Sequence, residues 1–151
     1  MFTNFENMAS QSKVYFFFDN VRFTLLERTR LKKNIVEIFE KEGKAPDNIN
    51  FIFCSDKKLL EINRSYLNHD FYTDIITFDL SESELLTSGE IFISVDRVKE
   101  NAATLGIPFS LEIRRVMYHG VLHLCGYGDK TRAEQKKMRS KEDYYLNKFD
   151  K

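Results

Sequence analysis

The apolar and polar residues of this chain alternate between two periods. Lys13 to Phe18, KVYFFF, is a run of β-forming residues closed by Asp19-Asn20, and it reads as a strand. From Phe23 to Lys44 the positions Leu25, Leu26, Leu31, Ile35, Val36 and Phe39 recur at spacings close to helical, and the pattern stops around Gly43 and Pro46. A helix lying on a sheet is the expectation there. Ile49 to Ser55 gives a second strand, and Asp56 is then a candidate N-cap for a helix through Leu59, Leu60, Ile62 and Tyr66. Two further β-rich runs, Asp74 to Asp79 and Glu90 to Val95, flank a polar loop that carries Gly89. Asp96 can cap a helix to Leu105, Gly106-Ile107-Pro108 interrupts it, and Ser110 caps the next. Thr131-Arg132-Ala133-Glu134 has the form of a capping box, opening a last helix that runs towards Phe149.

The order β, α, β, α, β, β, α, α, α predicts an α+β fold, with one small mixed sheet of about four strands and helices packed on it. At 151 residues the chain is about one domain's worth, so 1–151 is expected to fold as a single domain. Lys+Arg and Asp+Glu are equal at 23 each, which removes any whole-molecule argument for nucleic acid or membrane. Such a partner has to be argued from a local patch. Cys54 and Cys125 are too few for a disulfide framework, and both lie in apolar stretches, which points to reduced thiols in a cytoplasmic protein. The early apolar run Val14 to Phe18 is far short of the ~20 residues a membrane span needs, and nothing frames it as a signal peptide.

The candidate chemistry sits in His119 to Asp129, HGVLHLCGYGD. If Ser110 to Cys125 is helical, His119 and His123 lie one turn apart on one face, close enough to hold one ion. Zinc takes imidazole nitrogen readily. Gly126 falls where a left-handed residue lets the chain turn back, which would carry Asp129 to the same point and leave a fourth position for water. The metal site is thus expected at the end of a helix. The spacing is also that of the metzincin metalloprotease motif, H-E-x-x-H-x-x-G-x-x-H, except that Gly120 stands where the protease has its general-base glutamate. The competing reading is a pair of packed or capping histidines at a helix C-terminus. His69 has no partner at ligand spacing and reads as a turn residue, and Cys125, off the His123 face, reads as core.

These residues resemble the bacterial YbeY proteins, metal-dependent endoribonucleases associated with ribosomal RNA maturation. The signature of that family, H-G-x-L-H-L-x-G-Y-D-H, is matched by the stretch from His119 to Asp129, and the resemblance extends upstream to Leu60-Glu61-Ile62-Asn63, Tyr66, Thr73 to Phe78 and Gly89 to Ser94. It implies an α+β fold with a zinc-type site in a cleft, one Zn2+ per chain, and single-stranded RNA, including ribosomal RNA or ribosomal particles, as partner. Two departures stand out. The third histidine of the family falls on Asp129, which remains a good zinc ligand but adds a negative charge. The functional arginine of the family falls on Leu67, which cannot pair with a phosphate. Arg64, one turn earlier, is the candidate substitute as a catalytic residue.

For RNA contact the chain offers a basic run from Lys130 to Lys141, in which Lys130, Lys136 and Lys137 are the named candidates, together with Arg114 and Arg115 just before His119. A solvated helix face is the alternative for each. The leading expectation is a metal-dependent endoribonuclease, a hydrolase acting on single-stranded RNA in ribosomal RNA maturation and ribosome quality control. One rival is a zinc peptidase or amidase that takes its base from Glu90 or Asp74. The other is a non-catalytic ribosome-assembly factor with a structural metal.

Overall fold

The computed structural model of the protein describes residues 13–69 and 72–150. Along the chain it contains β1 (Val14–Phe18), α1 (Arg28–Lys41), β2 (Pro46–Cys54), α2 (Asp56–Leu67), β3 (Ile75–Asp79), β4 (Thr87–Ser94), α3 (Val95–Leu105), α4 (Phe109–Leu124) and α5 (Arg132–Phe149). This is the α+β order that the periodicity predicts. The strands form one sheet in the order β1-β2-β4-β3, with β1, β2 and β4 parallel and β3 antiparallel to β4. Among the described residues, no helix is long and apolar enough to cross a membrane.

The boundaries differ from expectation for local physical reasons. The first helix begins at Arg28, not Phe23, because the segment before it lies over the core in non-helical form: the Phe23 ring packs 5.4 Å from Phe18, 5.1 Å from Phe53 and 5.6 Å from Phe109. Those apolar positions follow a packing demand, not a helical period. Serines, not the aspartates after them, cap α2 and α3: Ser55 Oγ accepts from Lys58 N and Ser94 Oγ from Arg97 N, both at 3.1 Å. Asp56 instead accepts from the Ser94 hydroxyl at 3.1 Å and from Arg97 at 2.9 Å, tying the two helix starts together. Pro108, not Ser110, occupies the N-cap of α4. The capping box of α5 is formed as read, with Thr131 and Glu134 bonded reciprocally.

The two faces of the sheet carry different helices. Ile49, Phe51 and Phe53 of β2 and Ile91 and Ile93 of β4 are buried with Ile35, Ile38 and Phe39 of α1, with Val116, Met117 and Val121 of α4, and with Tyr145 and Leu146 of α5. The alternate residues, Cys54, Ile76, Phe78 and Phe92, meet Leu59 and Ile62 of α2 on the other face.

Two glycines set how close α4 comes to the sheet. A Cβ on Gly120 would lie 2.8 Å from Ile91 Cγ2 and 3.0 Å from Ile75 Cδ1, and one on Gly89 would lie 2.8 Å from the Phe78 carbonyl oxygen and 2.9 Å from Leu124 Cδ1. Each notch admits the other element. The position that holds a general base in metzincins is therefore filled here by strand side chains, with no room for a glutamate.

Candidate metal centre and its cleft

Helical spacing places His119 and His123 one above the other near the end of α4, with ring centroids 4.5 Å apart and ring planes at 80°. Past Leu124 the chain reverses at Gly126, whose φ of 103° lies in the region that favours glycine, and Tyr127 N donates to Leu122 O at 3.0 Å. The reversal delivers Asp129 to the histidine face. Its Oδ2 lies 3.2 Å from His119 Nε2 and 3.2 Å from His123 Nε2.

The other ring nitrogens decide what that cluster is for. His119 Nδ1 donates to Glu142 Oε2 at 2.6 Å, and His123 Nδ1 donates to the Tyr127 carbonyl at 2.9 Å. With Nδ1 carrying the proton, each neutral ring turns the lone pair of Nε2 towards the Asp129 carboxylate. Three acceptors then face one another, an arrangement that repels unless a cation lies between them. A tetrahedral ion with bonds of about 2.05 Å sets its ligand atoms about 3.3 Å apart, close to the 3.2 Å from Asp129 Oδ2 to each Nε2. The three ligand atoms all lie within 4.8 Å of one another, and the carboxylate and carbonyl behind the rings are the partners that metal-bound histidines characteristically have. The residues fit a divalent ion. The same demand for positive charge appears in the titration of His119: burial pulls its pKa down, but the Glu142 hydrogen bond and the charges of Glu142, Asp129 and Asp74 outweigh it, leaving it above the ordinary histidine value.

The ligands are braced from α5 and from the end of α1. Gln135 Nε2 of α5 donates to Asp129 O at 3.1 Å. The Tyr127 hydroxyl donates to Glu42 Oε1 at 2.5 Å, beyond the end of α1, and Glu42 also accepts from Lys141 at 3.2 Å and from the Tyr145 hydroxyl. Burial pushes the Glu42 carboxyl up, but these three donors hold it below its usual range, so it stays an anionic anchor. Beside the ligands opens a cleft of about 370 Å³, walled by Asp74 and Ile75 at the start of β3, by Glu112 and Arg115 of α4, and by Arg139 and Glu142 of α5.

The predicted metal ligands are thus brought together; the other candidates are scattered. Arg115 lies in the cleft wall, held by Asp143 at 2.8 Å and Glu142 at 3.2 Å. Arg114 points elsewhere: it pairs with Asp150, its Nε donates to Ser110 O at 3.0 Å, and it lines a separate depression with Arg30 and Phe149. Lys130, Lys136 and Lys137 are exposed, with Lys137 Nζ 5.6 Å from the centre of the Tyr127 ring. Arg64 is exposed in the last turn of α2, the helix on the opposite face of the sheet, and does not line the cleft; Leu67 is exposed beside it. The amide of His69 donates to Asn63 O at 3.1 Å in the turn that ends α2. Glu90, offered as a base for peptide hydrolysis, alternates with Ile91 and so faces away from α4. Asp74 does line the cleft, where burial and the charge of Glu142 raise its pKa against the opposing effects of His119 and Arg97.

Glu142 is the functional residue that the sequence reading passed over. It stands in an apolar stripe on α5, Met138, Glu142, Tyr145, Leu146 and Phe149, and all five are buried. A carboxylate inside such a stripe was the available signal.

Comparisons with known proteins identify the family. The family model for endoribonuclease YbeY matches residues 18–150. The endoribonuclease YbeY of Cytophaga hutchinsonii is 44% identical over 137 residues, covering 91% of this chain and 96% of its own. That of Flavobacterium psychrophilum is 47% identical over 129 residues, covering 85% and 91%. A solution structure of a Thermotoga maritima protein superposes with a TM-score of 0.64 at 31% identity, covering 90% of this chain and 88% of that one.

Proposed function

Because the chain belongs to the YbeY endoribonuclease family, we propose that its cleft cuts single-stranded RNA during ribosomal RNA maturation in the cytoplasm, with one zinc ion held by His119, His123 and Asp129. Family membership makes it an endonuclease and a hydrolase. The observation that carries the rest is the pair of Nε2 atoms, each 3.2 Å from one Asp129 oxygen and each fixed from behind at Nδ1. Zinc is supported by that donor set, two imidazoles and one carboxylate, with a position left open for water as in catalytic sites. A metal there supplies Lewis acidity towards a phosphoryl oxygen and a nucleophile at neutral pH.

The residues of the chain do the remaining work. Glu142 holds His119 in the tautomer that presents Nε2, and the Tyr127 carbonyl does the same for His123. Asp74 stands in the cleft wall, where burial pushes its carboxyl above the usual range, as the candidate to exchange a proton there. A cleft of about 370 Å³ is of a size to take a single nucleotide beside the ligands. Lys130, Lys136 and Lys137 would follow the phosphate backbone beyond it, with Arg64, outside the cleft, as a more distant contact, while Arg115 serves the cleft wall through its ion pairs.

The experiment is metal analysis of the purified protein beside cleavage of single-stranded ribosomal RNA fragments with and without chelator. About one zinc per chain and chelator-sensitive cleavage are expected, and His123→Ala should lose both. Full metal occupancy in that variant would overturn the ligand assignment, and cleavage unaffected by chelator would overturn the mechanism.

A further inference from the structure

We propose that Arg139 is the guanidinium that receives the phosphodiester inside the cleft, supplying from α5 the contact that Leu67 cannot make. The proposal rests on the RNA-cleaving reading above and assigns its phosphate-binding residue. Two guanidiniums line the cleft, Arg115 and Arg139. Arg115 is already committed: its side chain is 18% exposed and lies 2.8 Å from Asp143, 3.2 Å from Glu142 and 3.9 Å from Glu112. Its charge is balanced by these three carboxylates, and its Nη1 is shared between Glu142 and Asp143. Arg139 differs on each count. Its side chain is 59% exposed, and its ion pair within the cleft is a loose one, 3.7 Å to Glu142 Oε1.

Position supports the same assignment. Gln135, Met138, Arg139 and Glu142 all line the cleft, so this one face of α5 looks onto the ligands. Gln135 on that face holds the Asp129 backbone, and Glu142 holds His119. Arg139 lies between these two ligand-bracing residues. Four carboxylates, Asp74, Glu112, Asp129 and Glu142, line the same space, so an entering phosphate is favoured by a mobile guanidinium that adds to the charge of a bound ion. A guanidinium supplies a two-pronged donor matched to phosphate, which the lysines farther along α5 cannot.

The test uses Arg139→Ala, Arg139→Gln and Arg139→Lys in the full chain, with two readouts. In chelator, where cleavage is off, a fluorescent single-stranded RNA octamer is titrated at several salt concentrations. Loss of one phosphate contact should flatten the slope of log K against log salt by about 0.7 in the Ala and Gln variants, while Lys keeps the slope. In the zinc-loaded enzyme, kcat/KM should fall about ten- to a hundredfold in Ala and Gln, the effect of one lost hydrogen bond to a charged group, with partial recovery in Lys. Zinc content should stay at the wild-type value. An unchanged slope would overturn the proposal, and so would a changed slope with unchanged kcat/KM, since Arg139 would then touch RNA only away from the reacting phosphate. Wild-type protein that cuts no RNA would sink the functional reading instead, while the chelator titration would still decide whether Arg139 binds phosphate.

Discussion

Replacing Gly120 by alanine sets two known effects against each other. Alanine is the better helix former by about 1 kcal/mol, so on an open helix the change would stabilise the protein. Here the new Cβ would lie 2.8 Å from Ile91 Cγ2, 3.0 Å from Ile75 Cδ1 and 3.1 Å from Ile91 Cδ1. Ile75 can swing its terminal methyl aside. Ile91 cannot swing Cγ2, because that atom is fixed on the β-carbon of a fully buried strand residue. Relaxed carbon contacts need about 3.5 Å or more, so α4 has to retreat by roughly 0.7 Å, and overpacking of this kind costs about 1–3 kcal/mol. The net effect is a loss of up to about 2 kcal/mol, or a fall of several degrees in Tm for a chain of this size. The histidines on either side ride on the same helix, and a retreat of roughly 0.7 Å shifts His119 against Glu142 on α5, which braces it, so zinc affinity should fall too. Urea unfolding in chelator reads the first effect, and competition with a chromophoric chelator reads the second. Ile91→Ala removes both offending carbons, so a double-mutant cycle should return a favourable coupling between positions 91 and 120. A Gly120→Ala protein that is more stable than wild type and binds zinc equally well would refute the argument, because propensity would then have won without the helix moving.

Three further outcomes follow from the site and the core. Glu142→Gln should weaken zinc binding about ten- to a hundredfold by removing the charge behind His119, and unchanged affinity in a metal competition assay would refute its role. Burial pushes the thiols of Cys54 and Cys125 up to about 12, so at pH 8 neither should react with a disulfide reagent until the protein is denatured. Because an unfolded thiol ionises near its ordinary value of about 8.5, these cysteines favour the fold below that pH and lose their contribution as pH rises towards 12. Rapid labelling of the native protein would refute both statements. Arg64→Ala should slow RNA cleavage less than Arg139→Ala, because Arg64 lies outside the cleft; the reverse order in kcat/KM on one RNA would refute that placement.

The metal ligands were legible because everything that joins them is local. One helical turn separates the histidines, one left-handed glycine reverses the chain, and Asp129 follows at once. The element order was legible for a similar reason, since each strand and helix carries its own period. What could not be read are the contacts made by tertiary structure. Phe23 and Leu25 look helical in sequence, but Phe23 is consumed by the aromatic cluster around Phe53 and Leu25 is buried in the core ahead of the helix. Arg114 and Arg115 are neighbours in sequence, yet a helix turns successive residues about 100° apart, and they enter different depressions. Glu42, which anchors Tyr127 and through it His123, comes from beyond α1, and no spacing rule connects it to the motif.

The locality of the ligand set bears on how the protein unfolds. His119, His123, Asp129 and Glu142 all belong to one helix–turn–helix segment, α4 and α5, so gathering them closes only a short loop. A metal ion is therefore able to hold this hairpin together in a chain whose sheet has come apart. Metal then binds the denatured ensemble as well as the native one, and its stabilising effect falls below the full RT ln(1 + [M]/Kd). Denaturation in zinc should leave a helical remnant that chelator abolishes, with a correspondingly smaller m-value, so that metal and sheet guard different parts of the same fold.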